Sequence, residues 1–268
     1  MSVPETRRSR RIRRTIAVAA IAALAAACGG GSGKTSAPTT TVAAEPAVLR
    51  VLVTNDDGVG GTGLGAIAHA LRAVPRTEVE IVAPAENRSG SGSRTTPGTR
   101  SAHSATTVNG DPATAVDGYP ADAVAYALAN GDPAARPHLV VSGINEGQNL
   151  GVVIDASGTV GAARAAAKAG IPALAVSQGL GPAPDYPDGV RATLAWIAEH
   201  RAELIARGAD GPATVTNLNI PTCPFGSPRP VVVVPPDPKE NGIAVVDCAT
   251  PFTNPRTDVE AFLHGYIT

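Results

Sequence analysis

The chain has 268 residues, of which 43% are hydrophobic and 17% are charged, enough for one domain with a substantial core but hardly for two large ones. Its net charge of −1 and its aromatic content of 3% argue against a nucleic-acid partner, because such partners favour basic surfaces and stacking aromatic rings. The composition therefore argues against nucleic-acid binding, but it does not indicate a particular function.

Residues 1–27 predict a lipoprotein-type signal peptide. Several arginines precede an apolar stretch at 16–27, which is shorter than the about 20 residues that a membrane-spanning helix needs. Three alanines directly before Cys28 resemble a bacterial lipoprotein cleavage site, so we expect lipidation of this thiol. An ordinary secretory signal with a chance cysteine stays an alternative, as does twin-arginine export. The expected location is the outer face of the bacterial cell membrane, with the lipid as the only membrane contact.

Residues 28–46 predict a disordered tether, because Gly, Ser, Thr and Pro dominate them and bury little apolar surface. The folded domain is expected at 47–268. It contains Cys223 and Cys248, which in an exported protein favour a disulfide over two reduced thiols.

Strand and helix patterns alternate along this domain. The predicted strands are 48–53, 79–82, 138–141, 173–176 and 215–219, and the predicted helices are 64–71, 122–129, 159–169 and 190–207. This alternation predicts an α/β fold with a doubly wound, mainly parallel sheet and helices on both faces. In the tail, 231–234 and 243–246 predict an antiparallel hairpin or an arm that packs on another subunit, and 257–263 predicts a short helix.

Two adjacent carboxylates, Asp56 and Asp57, directly follow the first predicted strand. Such a pair at the end of a buried strand is unfavourable unless its charge is neutralised, and a divalent cation does this simply. The predicted loops after two further strands add the oxygens of Ser89 and Asn145. Because the carboxyl ends of parallel strands meet at one edge, the set predicts a site for Mg²⁺, Mn²⁺ or Ca²⁺. If Asp56 and Asp57 are considered without the other oxygens, an Asp-Asp-Gly turn that binds no metal is the alternative.

An anion site is predicted where Ser157, Gly158 and Thr159 lead into an alanine-rich helix. Free amides and hydroxyls at a helix N-terminus bind anions, although Ser157 alone would also serve as a helix cap. A cation next to such a turn suits a phosphate group.

The segment 58–63 also fits the G-x-G-x-x-G pattern of dinucleotide-binding domains. The two aspartates directly before its first glycine would repel a bare pyrophosphate, which disfavours this interpretation. A dinucleotide-dependent oxidoreductase therefore stays an alternative, recognisable by cofactor binding without added metal.

With these motifs the chain resembles the SurE family, the survival-protein 5′-nucleotidases, from about Val48 to Thr268. The segments that carry the resemblance are LVTNDDG (52–58), RSG (88–90), GYPAD (118–122), SGINEGQNLG (142–151), SGTV (157–160) and NLNIP (217–221).

The resemblance implies a Rossmann-like core and a homodimer or tetramer in which the C-terminal part is shared between subunits. It implies a metal-dependent phosphatase that hydrolyses nucleoside 5′-monophosphates, or another small phosphomonoester, with one divalent cation per subunit, Mg²⁺ or Mn²⁺ before Ca²⁺. The implied metal ligands, of which the first two are also catalytic, are Asp56, Asp57, Ser89 and Asn145. The expected phosphate or substrate contacts are Asn55, Ser142, Gly143, Ser157, Gly158 and Thr159.

Three departures from the family pattern concern activity. Val152 and Val153 stand where the family usually has acidic residues, Ala156 replaces a tyrosine, and Ala165 replaces a glutamate. The alternative function is therefore a catalytically weakened metal- or nucleotide-binding lipoprotein of the same fold. The nucleophile, water or a carboxylate, stays open.

Overall fold

The computed structural model describes residues 47–181, 186–207 and 213–268. The predicted signal peptide, the tether and Cys28 lie outside these ranges. Among the described residues, no helix combines the length and the apolar character that a membrane crossing requires.

A seven-stranded sheet forms the centre of the domain, and its strands lie in the order β3-β4-β2-β1-β5-β6-β7. All neighbouring strands are parallel except β3 and β4, which confirms the predicted mainly parallel sheet. In chain order the strands are β1 (Leu49–Thr54), β2 (Thr77–Pro84), β3 (Ala102–Thr106), β4 (Pro112–Val116), β5 (Leu139–Glu146), β6 (Ala173–Gln178) and β7 (Val215–Ile220).

Helices cover both faces of the sheet, as predicted for a doubly wound fold. They are α1 (Thr62–Arg72), α2 (Pro120–Asn130), α3 (Gly158–Lys168) and α4 (Tyr186–Ala206). One core packs α1 and α4 against the sheet, and α1 contributes Leu64, Ile67 and Leu71 at helical spacing. The other core packs α2 and α3, where small side chains such as Ala162 and Ala166 let α3 lie close to the strands.

Strands β3 and β4 were not predicted from the sequence. Residues of β3 are polar or small and only partly buried, because this strand forms the edge of the sheet. In β4 only Ala115 and Val116 are buried. Neither an edge strand without buried residues nor a strand with only two buried residues has the apolar alternation that sequence patterns detect.

Strand β5 is longer than the predicted segment 138–141. It continues to Glu146 because Asn145 and Glu146 pair with Ser177 and Gln178 of β6, beyond a register shift that begins after Ser142. Gly143 lies in this irregular stretch with φ of 138°. Ser142, Gly143 and Asn145 therefore lie within the strand and not in a loop after it.

Of the two alternatives predicted for the tail, the antiparallel hairpin is wrong, and the arm that packs on another subunit stays a prediction. The segment β8 (Arg229–Val231) instead pairs in parallel with β9 (Tyr266–Ile267) near the end of the chain. The residues between 231 and 243 include prolines at 235, 236 and 238, which cannot donate to a strand ladder. Val233, expected in a strand, is 98% exposed.

The predicted short helix and the predicted disulfide are both confirmed in the tail. Helix α5 (Asp258–Leu263) begins after Thr257, whose side chain accepts a hydrogen bond from the backbone N–H of Glu260. Cys223 and Cys248 are disulfide-bonded with their Cα atoms 5.8 Å apart. The disulfide packs beside Phe262 in a small separate core.

Candidate active site

The strand order creates a crevice at the carboxyl ends of β1 and β5. The chain proceeds from β1 through β2 and β4 on one side, and from β5 through β6 and β7 on the other. Connections leave such a switch point in opposite directions, so a space opens there, and ligands of doubly wound folds bind in it. Asp56 and Asp57 follow β1, and Asn145 lies near the end of β5, so all three lie at this crevice.

The N-terminus of α3 holds the carboxylate of Asp56. Thr159 Oγ1 donates a hydrogen bond of 2.7 Å to Asp56 Oδ1, and Asp56 is only 3% exposed. Burial raises the pKa of Asp56, whereas hydrogen bonds from the Thr159 hydroxyl and from the amides of Thr159 and Gly158 oppose the rise. The hydroxyl of Thr159, predicted to contact phosphate, thus positions a carboxylate in this structure.

The second carboxylate lies against the end of β5. Burial, together with the charges of Asp56 and Glu146, raises the pKa of Asp57 to about 7, and a hydrogen bond from the Glu146 backbone opposes this shift. Burial and the charges of Glu146 and Asp57 also raise the pKa of Tyr186 to about 12. Three carboxylates and a phenol therefore share one electrostatic environment, in which a bound cation would relieve the repulsion.

The two other predicted ligands, Asn145 and Ser89, directly adjoin residues whose backbone contacts the aspartates. The side chain of Asn145 is buried and donates 2.6 Å from Nδ2 to the Gly147 carbonyl, so its Oδ1 stays available as a ligand. Ser89 is exposed, and its neighbour Arg88 donates its backbone N–H to the Asp56 carbonyl at 2.6 Å. The loop that carries Ser89 is thereby fixed beside the acidic pair.

Several buried oxygens in this region fit a cation or a phosphate group. Within the described part of the chain, Asn55 Oδ1, Ser91 Oγ and Ser142 Oγ have no hydrogen-bond partner. Unpaired buried polar atoms are costly, so a ligand that pairs with them is favoured. No group of three or more His, Cys, Asp or Glu side chains with metal-site geometry occurs in residues 47–181, 186–207 and 213–268. The donor set is two carboxylates with amide and hydroxyl oxygens, which suits a hard divalent cation.

Other predicted contacts have structural roles in the fold. Ser157 caps α3 by accepting a 3.1 Å hydrogen bond from the Val160 amide. A Cβ at Gly143 would lie 2.3 Å from the Val176 carbonyl oxygen, so glycine allows the strands to approach there. In the glycine-rich segment, a Cβ at Gly63 would lie 1.9 Å from the Ile144 carbonyl oxygen. That segment therefore serves close packing of α1 on β5.

Sequence reasoning did not single out the side chains of three residues at the site, namely Ser91, Glu146 and Tyr186. Ser91 follows Ser89 by two positions in a Ser-Gly loop, and Glu146 directly follows Asn145, so adjacency was an available signal for both. Tyr186 had no local signal, because it reaches the site only through the packing of α4.

Comparison with known proteins agrees with this fold. The family model described as Survival protein SurE matches residues 51–239. The chain belongs to the SurE family.

A 5′-nucleotidase SurE 1 from Burkholderia lata is 40% identical over 181 residues, covering 67% of this chain and 66% of that protein. A 5′-nucleotidase SurE from Pseudomonas putida is 36% identical over 235 residues, covering 82% of this chain and 90% of that protein. The crystal structure of the SurE protein from Aquifex aeolicus matches with a TM-score of 0.64 at 26% identity, over 81% of this chain and 90% of that chain.

Two of the departures from the SurE pattern lie in or beside a 3-10 turn, Gly151–Asp155, next to the site. Backbone contacts hold this turn, since the Val152 amide donates to the Glu240 carbonyl at 3.1 Å. The Ala156 carbonyl accepts a 2.9 Å hydrogen bond from Gly92. The turn is thus held in place by backbone hydrogen bonds.

Proposed function

We propose that this protein is a metal-dependent phosphomonoesterase that hydrolyses nucleoside 5′-monophosphates to nucleoside and phosphate. The observation that carries the proposal is the Asp56–Asp57 pair at the switch point, in which Asp57 is partly buried and Asp56 is buried and held by the N-terminus of α3. The reaction class, hydrolysis of phosphoric monoesters, follows from family membership. Relatives at 34 and 40% identity are named 5′/3′-nucleotidase SurE and 5′-nucleotidase SurE 1.

Asp56, Asp57, Ser89 and Asn145 would hold one divalent cation per subunit, with Mg²⁺ or Mn²⁺ favoured over Ca²⁺. When bound, the cation neutralises the carboxylates and polarises the phosphoryl group. The protein contributes the orientation of its carboxylates, because Thr159 fixes Asp56 and the Glu146 amide hydrogen-bonds Asp57. The partial positive charge at the N-terminus of α3 would stabilise negative charge that develops on the phosphoryl oxygens.

A second candidate is a binding protein that holds nucleotide and cation without releasing phosphate. Ala156 and Ala165 favour it, because they remove side chains that are typical of the SurE family beside and within α3. Turnover distinguishes the two candidates directly.

The test is phosphate release by the full-length chain with Mn²⁺ or Mg²⁺, measured across nucleoside monophosphates, polyphosphate and simple phosphomonoesters. We expect hydrolysis of the nucleoside monophosphates, loss of activity on chelation, and a drop in kcat of at least about a hundredfold for Asp57→Asn. The control is Asp132→Asn, because Asp132 only caps an exposed 3-10 turn. Activity that survives both chelation and Asp57→Asn would contradict the proposal.

We further propose export and lipid anchoring through Cys28. The support is the sequence pattern of residues 1–46, which lie outside the described residues. The wild-type chain is expected to partition into detergent from bacterial membranes, and Cys28→Ala is expected to appear in the aqueous phase. Equal partitioning of the two proteins would contradict the anchor.

A homo-oligomer is also proposed. Its support is the tail, in which several large apolar side chains are more than half exposed in the described chain: Phe225, Val231, Val233, Ile243 and Val245. Large apolar side chains that are exposed in one segment of a chain are typical of interfaces.

A further inference from the structure

Ser91 has a buried hydroxyl group that lacks a partner. The residue is 6% exposed, and its Oγ forms no hydrogen bond with any described residue. Its backbone is fully engaged, since its N–H donates to the Arg88 carbonyl and its own carbonyl accepts from the Arg94 N–H, each at 3.2 Å. The main chain therefore fixes this side chain in place while its oxygen is left without a partner in the protein.

The loop that carries Ser91 is locked onto the first turn of α3. Gly92 donates a 2.9 Å hydrogen bond to the Ala156 carbonyl, and a Cβ at Gly161 would lie 2.0 Å from the Gly92 carbonyl oxygen. A Cβ at Gly158 would lie 2.8 Å from Ser91 Oγ and 2.7 Å from Asp56 Oδ2. The hydroxyl and the carboxylate therefore both lie against Gly158 at the start of α3.

With a cation on the Asp56 carboxylate, the charges near Gly158 favour an anionic ligand beside Ser91. The N-terminus of α3, a helix of 11 residues, contributes partial positive charge on the Ser91 side. A hydroxyl group placed there can donate to a phosphate oxygen, which is a strong acceptor.

We propose that Ser91 Oγ donates a hydrogen bond to a phosphoryl oxygen of the substrate and of the phosphate product. This inference rests on the proposed phosphomonoesterase function and adds a substrate-binding residue to it. Ser91 is not a cation ligand in this scheme, because Asp56, Asp57, Ser89 and Asn145 supply that set.

The test compares Ser91→Ala with Ser93→Ala, a matched control, because Ser93 is an exposed serine of the same loop. Titration calorimetry with inorganic phosphate at saturating Mg²⁺ gives phosphate affinity, and electron paramagnetic resonance of Mn²⁺ without phosphate gives cation affinity. For Ser91→Ala we expect phosphate affinity to fall at least about tenfold, because hydrogen bonds to charged groups have that strength. Mn²⁺ affinity should stay unchanged, and the melting temperature should be equal or higher, because an unpaired buried hydroxyl is removed.

Unchanged phosphate affinity in Ser91→Ala would overturn the inference, and so would a loss confined to Mn²⁺ affinity or an equal loss in Ser93→Ala. If the wild-type chain hydrolyses nucleotides while Ser91→Ala binds phosphate normally, only the inference fails. If the wild-type chain neither hydrolyses nucleotides nor binds phosphate, the proposed function fails together with it.

Discussion

At the scale of single residues, the site depends on the absence of a side chain at Gly158. Asp56 is oriented by Thr159, and its Oδ2 lies 2.7 Å from the point that a Cβ on Gly158 would occupy. Real Cβ atoms do not approach other atoms so closely, and the backbone of Gly158 is not in the left-handed region. Any change at this position is therefore expected to act through lost space and not through backbone strain.

Gly158→Ala is expected to reduce kcat/KM at least about tenfold, because the added methyl group displaces the Asp56 carboxylate from its bond to Thr159. Steady-state kinetics with Mg²⁺ measure this effect. Gly60→Ala is the control, since nothing lies within 4 Å of the Cβ it would add in the glycine-rich loop. Equal activity of the two variants would show that the space above Gly158 is not used.

At the scale of elements, Asp122 joins α2 to the segment that follows the Ser91 loop. This fully buried carboxylate accepts hydrogen bonds of 2.9 Å from the backbone amides of Thr96 and Tyr119 and pairs with Arg100 at 2.7 Å. Burial alone would raise its pKa, but the hydrogen bonds from Tyr119 and Thr96 and the charge of Arg100 together lower it. The folded state therefore favours the ionised carboxylate.

Asp122→Ala is expected to lower the free energy of unfolding by about 3 kcal/mol at neutral pH, because Arg100 loses its buried partner. Since the pKa of Asp122 in the folded state lies below its ordinary 3.8, this contribution is present above pH 3.8 and is lost as the pH falls through the lowered value. Urea unfolding of both proteins from pH 3 to pH 8 measures the difference. Asp117→Ala, a change at an exposed carboxylate nearby, is the control, and a pH-independent difference would contradict the assignment.

At the scale of the whole molecule, the tail leaves apolar surface uncovered. Val233 and Val245 are 98% and 86% exposed, although the disulfide and α5 hold the neighbouring chain in a packed cluster. An apolar groove of about 510 Å³ is lined in part by Val245, Leu180 and Phe262. A second copy of the chain that covers these side chains would explain their exposure.

Replacing both Val233 and Val245 by Asp is expected to shift the protein from oligomer to monomer in analytical ultracentrifugation, because two carboxylates would be buried in an apolar contact. Val108→Asp changes an exposed valine outside the tail and serves as the control. A wild-type chain that sediments as a monomer at micromolar concentration would contradict the proposed assembly.

The sequence by itself predicted the doubly wound architecture and the acidic pair at its crevice. This was possible because strand and helix periodicity and the order Asp-Asp after a buried strand are local properties of the chain. Every contact with cation or substrate that was assigned from the sequence stays a prediction, namely those of Asp56, Asp57, Ser89, Asn145, Asn55, Ser142, Gly143, Ser157, Gly158 and Thr159.

Only the tertiary structure decided how the tail pairs, where Ser91 and Tyr186 lie, and that Thr159 binds Asp56. Each of these depends on contacts between segments far apart in the chain, such as β8 with β9 or the Ser91 loop with α3. The period of a single segment contains no information about such contacts, because they are set by how the packed elements fill space around one another.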